Sequence, residues 1–364
     1  MSLVLYRKYR PKTFSEFIGQ EHVVKTLTNQ ILEGMISHAY LFYGPRGTGK
    51  TTIARLFAKA INCQNRKGFE PCNQCPSCQE INQGRAIDLI EIDAASHRGI
   101  DEVRDLKDGI NFPPTRMKYK VFIIDEAHQL TKEAANALLK TLEEPPPHVI
   151  FILATTEVHK MIPTILSRCQ RFDFRKLTVP EILKKLKFIC QNEKIEIEKE
   201  AMELIAVNSA GSIRDAESFL DQAINFSSGK IKVEDIKDLL GLVEIETISN
   251  FCDLLIKKDP AKAIEYLNEI SEKGMDLEEF VKSLINYFRQ ALILKIIGEK
   301  NPILAGLTKE ELEKLKNQAQ NLKEEEIRNI LNKFLEAQNK MKFSPILQLP
   351  LELAIVEITT LTNN

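Results

Sequence analysis

AYLFYGPRGTGKTTIARLFAKA, residues 39–60, is the stretch on which the reading of this chain turns. Residues Ala39–Tyr43 read as a short apolar strand, a glycine-rich turn follows, and a helix is predicted from about Lys50. The turn fits the spacing G-x-x-x-x-G-K-[S/T] at Gly44, Gly49, Lys50 and Thr51, with Gly47 as an additional glycine. Glycines reach the backbone angles that curl successive N–H groups inward around a phosphate chain. Lys50 is placed to reach the terminal phosphates and the Thr51 hydroxyl to hold Mg²⁺, while the helix N-terminus adds the positive end of its dipole. A chance glycine-rich turn needs neither the preceding strand nor the following helix. Nucleotide binding is the reading, with Gly44, Pro45, Arg46, Gly47, Thr48, Gly49, Lys50, Thr51 and Thr52 as the expected contacts.

Downstream, Val121-Phe-Ile-Ile is an apolar run ending in Asp125-Glu126. After a phosphate-binding loop, carboxylates at a strand end are placed to act on the same nucleotide: Asp125 to hold Mg²⁺ through water, Glu126 to polarise the attacking water. The bland alternative is an acidic pair opening a turn. His128 beside it reads as structural.

Four of the seven cysteines are bunched as Cys63-x8-Cys72-x2-Cys75-x2-Cys78. Two-residue spacers let neighbouring thiolates converge on one ion, so a tetrahedral Zn²⁺ site is predicted, closed by four ligands and therefore structural. Small apolar cysteines or a redox pair are the alternatives.

Strands are predicted at 39–43, 88–92, 121–124, 149–154 and 171–174, alternating with helices, one of them capped by Thr131 and stopped by Pro145-Pro146-Pro147. This pattern gives an α/β domain with a parallel sheet covered on both faces. From Thr178, which opens a capping box with Glu181, only helices follow. Asp259-Pro260 and Ser344-Pro345 both read as an N-cap followed by proline at the first helical position. Three domains are expected: 1–177 for nucleotide, with the zinc insert at about 62–82; 178–242, small and helical; and 243–364, helical.

Across 364 residues, 28% charged and 43% apolar with a net charge of −1, no global basic field advertises nucleic acid. Any DNA contact must come from a local patch or a ring of subunits. No apolar run approaches the length of a membrane span, and the apolar stretch near the start is too short for a secretory signal, so a cytoplasmic location is expected. Two arginines remain. Arg168, in Ser167-Arg-Cys169, reads on its own as a solvated side chain, with Cys169 a small buried hydrophobe. Arg214 falls in the first turn of a helix, where the dipole disfavours a cation and an anionic partner is hinted.

Together these pieces resemble the AAA+ clamp-loader ATPases and, through the four-cysteine insert, the gamma/tau branch of the bacterial DNA polymerase III clamp loader. The resemblance is carried by Tyr9-Arg-Pro11, Ile18-Gly-Gln-Glu-His22, the phosphate loop, the four cysteines, Glu91–Ser96, Asp125–His128, Asn136–Pro145, Ala154–Thr156, Ser167–Cys169 and Gly211–Asp215. It implies ATP with Mg²⁺ and Zn²⁺ as cofactors. It makes Arg168 a finger acting in trans in the next subunit's site, Thr156 (of Thr155-Thr156) the first sensor and Arg214 the second. It lines the adenine pocket with Arg7, Tyr9, Pro11 and Val23. It makes 178–242 a lid and 243–364 a collar for a pentameric ring with delta, delta-prime and further copies of this chain. Sliding clamp and primed DNA are the implied partners, with DNA contacts at Arg98, Arg104, Lys140 and Thr164, and longer forms of the family carry domains beyond the residues present here. No polymerase-type carboxylate constellation is evident, so nucleotide polymerisation is not expected of this chain. A branch-migration motor, a nonhydrolysing scaffold and a zinc-dependent DNA-binding module are the rivals. The cysteine insert argues against the first, the intact Lys50, Thr51, Asp125, Glu126 and Arg168 against the second, and the low positive charge of 60–85 against the third.

Overall fold

A computed structural model describes residues 4–96, 109–110, 112–227, 229–241, 245–298, 301, 304 and 309–360. The chain divides into two compact units, 1–233 and 234–364.

The first unit is built on five parallel strands: β1 (Ala39–Tyr43), β2 (Leu89–Asp93), β3 (Lys120–Asp125), β4 (Val149–Thr155) and β5 (Gln170–Asp173), in the order β2-β3-β4-β1-β5. Side chains alternate across a strand, and the apolar character of both sets forces two covers. Tyr40 and Phe42 pack on one face with Ile53 and Phe57 of the helix Lys50–Ile61 and Val23 and Leu27 of the helix Glu21–Glu33. Ala39 and Leu41 face the other way, into a layer with Ala134, Leu138 and Leu142 of the helix Lys132–Glu143. Every residue of β4 is buried. Register aligns the strand ends: Tyr43 pairs with Thr155, and Asp93 with Asp125, so the carboxyl ends of β1, β4, β3 and β2 emerge along one edge. Ligands of open parallel sheets gather at that edge.

The helix Lys132–Glu143 starts as expected, with the Thr131 hydroxyl accepting from the Ala134 amide. Helices Val179–Glu193, Lys199–Asn208 and Ile213–Phe226 come next. The first carries the Thr178–Glu181 capping box and the last is capped by Ser212. In the second unit, Phe251, Phe280, Phe288 and Phe334 fill a separate core among helices Ile245–Ile256, Leu277–Ile297 and Glu324–Met341. Buried Gln318 is fully engaged there, accepting from Tyr287 and donating to the Ser249 carbonyl and Asp253. Asp259 caps the helix Pro260–Glu272 as predicted. Ser344-Pro345 does not open a helix: the Ser344 hydroxyl donates to the Ile346 carbonyl at 2.6 Å, and the next helix begins at Leu349 with Pro350 as its second residue. The dipeptide spends its hydrogen bond on a turn. Among the described residues no helix is long and apolar enough to cross a membrane.

Candidate nucleotide and metal sites

The phosphate loop leaves β1 at Gly44 and enters the helix at Lys50, beside the exit of β4. Its three glycines are required by their surroundings, as Gly47 and Gly49 show. Gly47 has φ +74, and a Cβ there would lie 1.9 Å from the Ser212 hydroxyl; Gly49 has φ +97, and its Cβ would meet the Phe17 ring at 2.4 Å. A side chain at either would be strained in its backbone and blocked by its neighbour. Lys50 is buried, and its ammonium donates to the carbonyls of Gly44 and Pro45 at 2.7 and 2.9 Å. Burial lowers its pKa, while the Glu126 and Asp125 carboxylates pull it back up.

Across the edge, the Thr51 hydroxyl donates to Asp125 Oδ2 at 2.6 Å. Hard oxygens from a loop threonine and a strand-end aspartate, meeting at one point, are the donor set a divalent Mg²⁺ takes from protein. Glu126 sits in the left-handed region at φ +48, a costly conformation for a side chain of its size and one concentrated at functional sites. That turn lets its carboxylate accept from the Thr156 hydroxyl at 3.1 Å. His128 bonds Thr155 Oγ1 through Nδ1 at 2.9 Å, and that nitrogen lies 3.4 Å from the Glu126 carboxylate. Both threonines at the end of β4 are thus engaged: Thr156 reaches Glu126 directly, and Thr155 meets His128 beside it.

A cavity of about 460 Å³ joins these groups to the lead-in and the lid. Arg46, Gly47, Thr48, Gly49, Lys50, Thr51 and Thr52 line it with Asp125 and Glu126, and so does Arg214, whose guanidinium lies 5.1 Å from the Tyr6 ring centroid. Of the four residues expected around the base, Pro11 lines the cavity. Val23 is instead wholly buried in the sheet core, Tyr9 turns its hydroxyl to Glu193 and its ring edge to Phe188, and Arg7 lies over Tyr6. The walls at that end are Tyr6, Arg10, Phe17, Ile18 and Leu177, closed by Lys185 and Glu217. Lys185 donates to the Tyr9 carbonyl at 2.7 Å and lies 3.8 Å from Glu217. Burial pushes Glu217 up to about 7 against the pull of Lys185, and burial also lowers Lys185. No local pattern in the sequence marks this pair, which two lid helices bring together.

The four cysteines converge. Their sulfurs all lie within 4.8 Å of one another, with Cys72 to Cys78 at 3.9 Å and Cys63 to Cys75 at 4.0 Å. Tetrahedral zinc with bonds near 2.3 Å requires sulfurs about 3.8 Å apart, so the set fits that ion. Backbone amides of Gln74 and Cys75 point at the Cys72 sulfur, and the first of these draws its pKa down to about 6. Cys63 lies just beyond the end of the helix Lys50–Ile61, Cys75 immediately precedes the helix Pro76–Gln83, and Cys78 lies on it.

Arg168 does not line its own chain's cavity. Its guanidinium pairs with Glu143 at 2.6 Å and donates to the Thr164 carbonyl at 2.8 Å. Lys140 and Thr164 are exposed. Arg98 and Arg104 lie outside the described residues. An ammonium at the loop, a hydroxyl–carboxylate pair for a cation and a second carboxylate one residue on together suit phosphoryl transfer to water.

Three family descriptions match the chain in succession: "DNA polymerase III, delta subunit" over 19–178, "DNA polymerase III clamp loader subunit, ATPase lid domain" over 181–229, and "DNA polymerase III subunits gamma and tau domain III" over 231–363. The chain is 45% identical to DNA polymerase III subunit tau of Bacillus subtilis, across 97% of its own length and 62% of that protein's. To DNA polymerase III subunit gamma of Buchnera aphidicola subsp. Acyrthosiphon pisum it is 38% identical across 98% of both. Among solved structures, the Thermotoga maritima RuvB Holliday junction branch migration motor is similar at 22% identity and a TM-score of 0.49, over 68% of this chain and 79% of that one.

Proposed function

This chain belongs to the gamma/tau family of DNA polymerase III clamp-loader subunits, and from that premise we propose that it is an ATP hydrolase within such a loader. ATP with Mg²⁺ occupies the cavity at Gly44–Thr52, and its hydrolysis drives the loading of a sliding clamp onto primed DNA. The observation that carries this reading is the 2.6 Å contact between the Thr51 hydroxyl and Asp125, with Lys50 and Glu126 facing the same space. Lys50 neutralises charge on the terminal phosphates. Glu126 takes the proton of the attacking water, and Thr156, bonded to its carboxylate, orients it. Arg214 enters the same space from the lid and meets the γ-phosphate, while Arg168 completes the site of an adjacent subunit. The four cysteines hold a structural zinc, which supplies a cross-link and no chemistry to the reaction.

The wider assembly belongs to the same proposal: a pentameric ring with delta, delta-prime and copies of this chain, working in the cytoplasm, with 1–177 as the ATPase domain, 178–242 as the lid and 243–364 as the collar. DNA contacts at Lys140, Thr164, Arg98 and Arg104 are part of it. The test is ATP turnover by the reconstituted loader, with and without clamp and primed DNA. Stimulation by both is expected, and its loss in Lys50→Ala; a Lys50→Ala loader that still hydrolyses ATP on DNA sinks the assignment.

A further inference from the structure

We propose that the cysteine insert is a clasp on the nucleotide pocket, with Glu70 and Lys59 as positioning residues, so that zinc and nucleotide strengthen each other's binding. The proposal rests on the reading of both sites given above. Residues 12–15 of the lead-in belong to no helix or strand, and three of their backbone polar groups (the Phe14 and Ser15 amides and the Lys12 carbonyl) are answered by the insert and its base. The Glu70 carboxylate accepts from the amides of Phe14 and Ser15 at 2.9 and 2.8 Å, and from the Ser15 hydroxyl at 2.6 Å. The Lys12 carbonyl accepts from Lys59 Nζ at 2.7 Å and from Asn73 Nδ2 at 3.2 Å. The Phe14 ring is buried edge-on against Phe69.

Each of these partners is tied to the cysteines. Glu70 precedes Cys72 by two residues, and Asn73 follows it in the left-handed region at φ +57. Lys59, 2% exposed on the phosphate-loop helix, also donates to the side-chain oxygens of Asn73 and Asn82. One ammonium therefore fastens loop helix, insert and lead-in. Immediately after the clasped segment come Glu16, Phe17 and Ile18, which line the cavity, and the Phe17 ring fills the space a side chain on Gly49 would need. A contiguous path thus runs from Cys72 through Glu70 and Asn73 to residues 12–15, and on through Phe17 to the phosphate loop. Without a shared ion the four sulfurs have no common bond holding them together, so the loop bearing Glu70 and Asn73 loses its cross-link when the metal is removed. Loss of that shape frees the wall at Phe17. Linkage then requires the converse in equal measure: nucleotide raises zinc affinity by the factor by which zinc raises nucleotide affinity.

The experiment uses the whole chain and three equilibrium measurements: zinc affinity by competition with a chromogenic chelator, with and without saturating ADP; affinity for a fluorescent ADP before and after zinc removal; and the same affinity in Glu70→Ala with its zinc content. ADP is expected to tighten zinc by roughly fivefold or more, and zinc to tighten ADP by the same factor. Glu70→Ala is expected to weaken ADP while retaining wild-type zinc content, a split that a merely structural defect would not produce. Should stripped protein unfold, the chelator competition on wild type and the zinc-loaded variant still decide the matter. Zinc affinity indifferent to ADP, or unchanged ADP affinity in Glu70→Ala, overturns the clasp and leaves the nucleotide reading standing. A wild-type chain that takes up no ADP overturns that reading and the clasp with it.

Discussion

Glu126 has the least comfortable backbone of the residues facing the cavity, and its left-handed turn is what brings its carboxylate to Thr156 rather than out to solvent. In the role proposed for it, Glu126 acts on water without contributing to nucleotide affinity. Glu126→Gln is therefore expected to keep ATP binding and lower turnover by about 10²–10⁴-fold, read by fluorescent-nucleotide titration beside phosphate release. Glu217 gives the residue scale a second handle, because its folded pKa of about 7 lies above the ordinary 4.5. Between those values the folded chain keeps a proton there that the unfolded chain has released. Its contribution is fully present below about 4.5 and is lost as pH rises towards 7, by up to about 3 kcal/mol. Denaturant unfolding at a series of pH values should show that decline in the wild type and a flatter profile in Glu217→Gln.

Elements with local signatures are legible from the sequence alone. The glycine spacing at 44–51, the apolar runs of β1, β3 and β4, and the Thr131 and Asp259 caps each encode their geometry within a few residues, and all lie where expected. The cysteine cluster is legible for the same reason, since ligand spacing is local. What stays hidden depends on encounters between distant segments. Lys185 and Glu217 meet only because two lid helices cross, Glu70 reaches back to Phe14 and Ser15, and His128, structural by its sequence context, stands between Thr155 and Glu126. The resemblance places Val23 beside the base, yet helix periodicity turns it into the sheet core. Ser344-Pro345 shows the limit of the cap pattern itself, for a serine hydroxyl has more than one local carbonyl or amide to choose from. Where the cap is real it should be measurable: the Thr178 hydroxyl and Glu181 carboxylate close a capping box reinforced by Arg175. Thr178→Ala is expected to cost about 1 kcal/mol of unfolding free energy, checked by denaturant titration.

At the scale of the molecule, the two units have separate aromatic cores, and the groups around the cavity come from the first. Arg168 is not among the residues lining its own chain's cavity and is engaged with Glu143 instead. That pair is half-exposed, and such surface bridges are worth at most about 1 kcal/mol, so surrendering it to a neighbour's phosphate costs little. Arg168→Ala is expected to leave ATP binding intact and cut turnover of the assembled ring by about 10³-fold or more, while turnover of the isolated chain stays the same. Loaders mixed from Arg168→Ala and wild-type copies, assayed for phosphate release, separate a trans role from a cis one.

The amide of Ile213, first residue of the lid helix Ile213–Phe226, donates to the carbonyl of Gly47 at 3.1 Å. Lid and phosphate loop are thereby stitched by the main chain itself, beyond the reach of side-chain substitution. Angular play in the one is torsion in the other, and the deuterium uptake of that single amide is a built-in gauge of how tightly the mouth of the machine is shut.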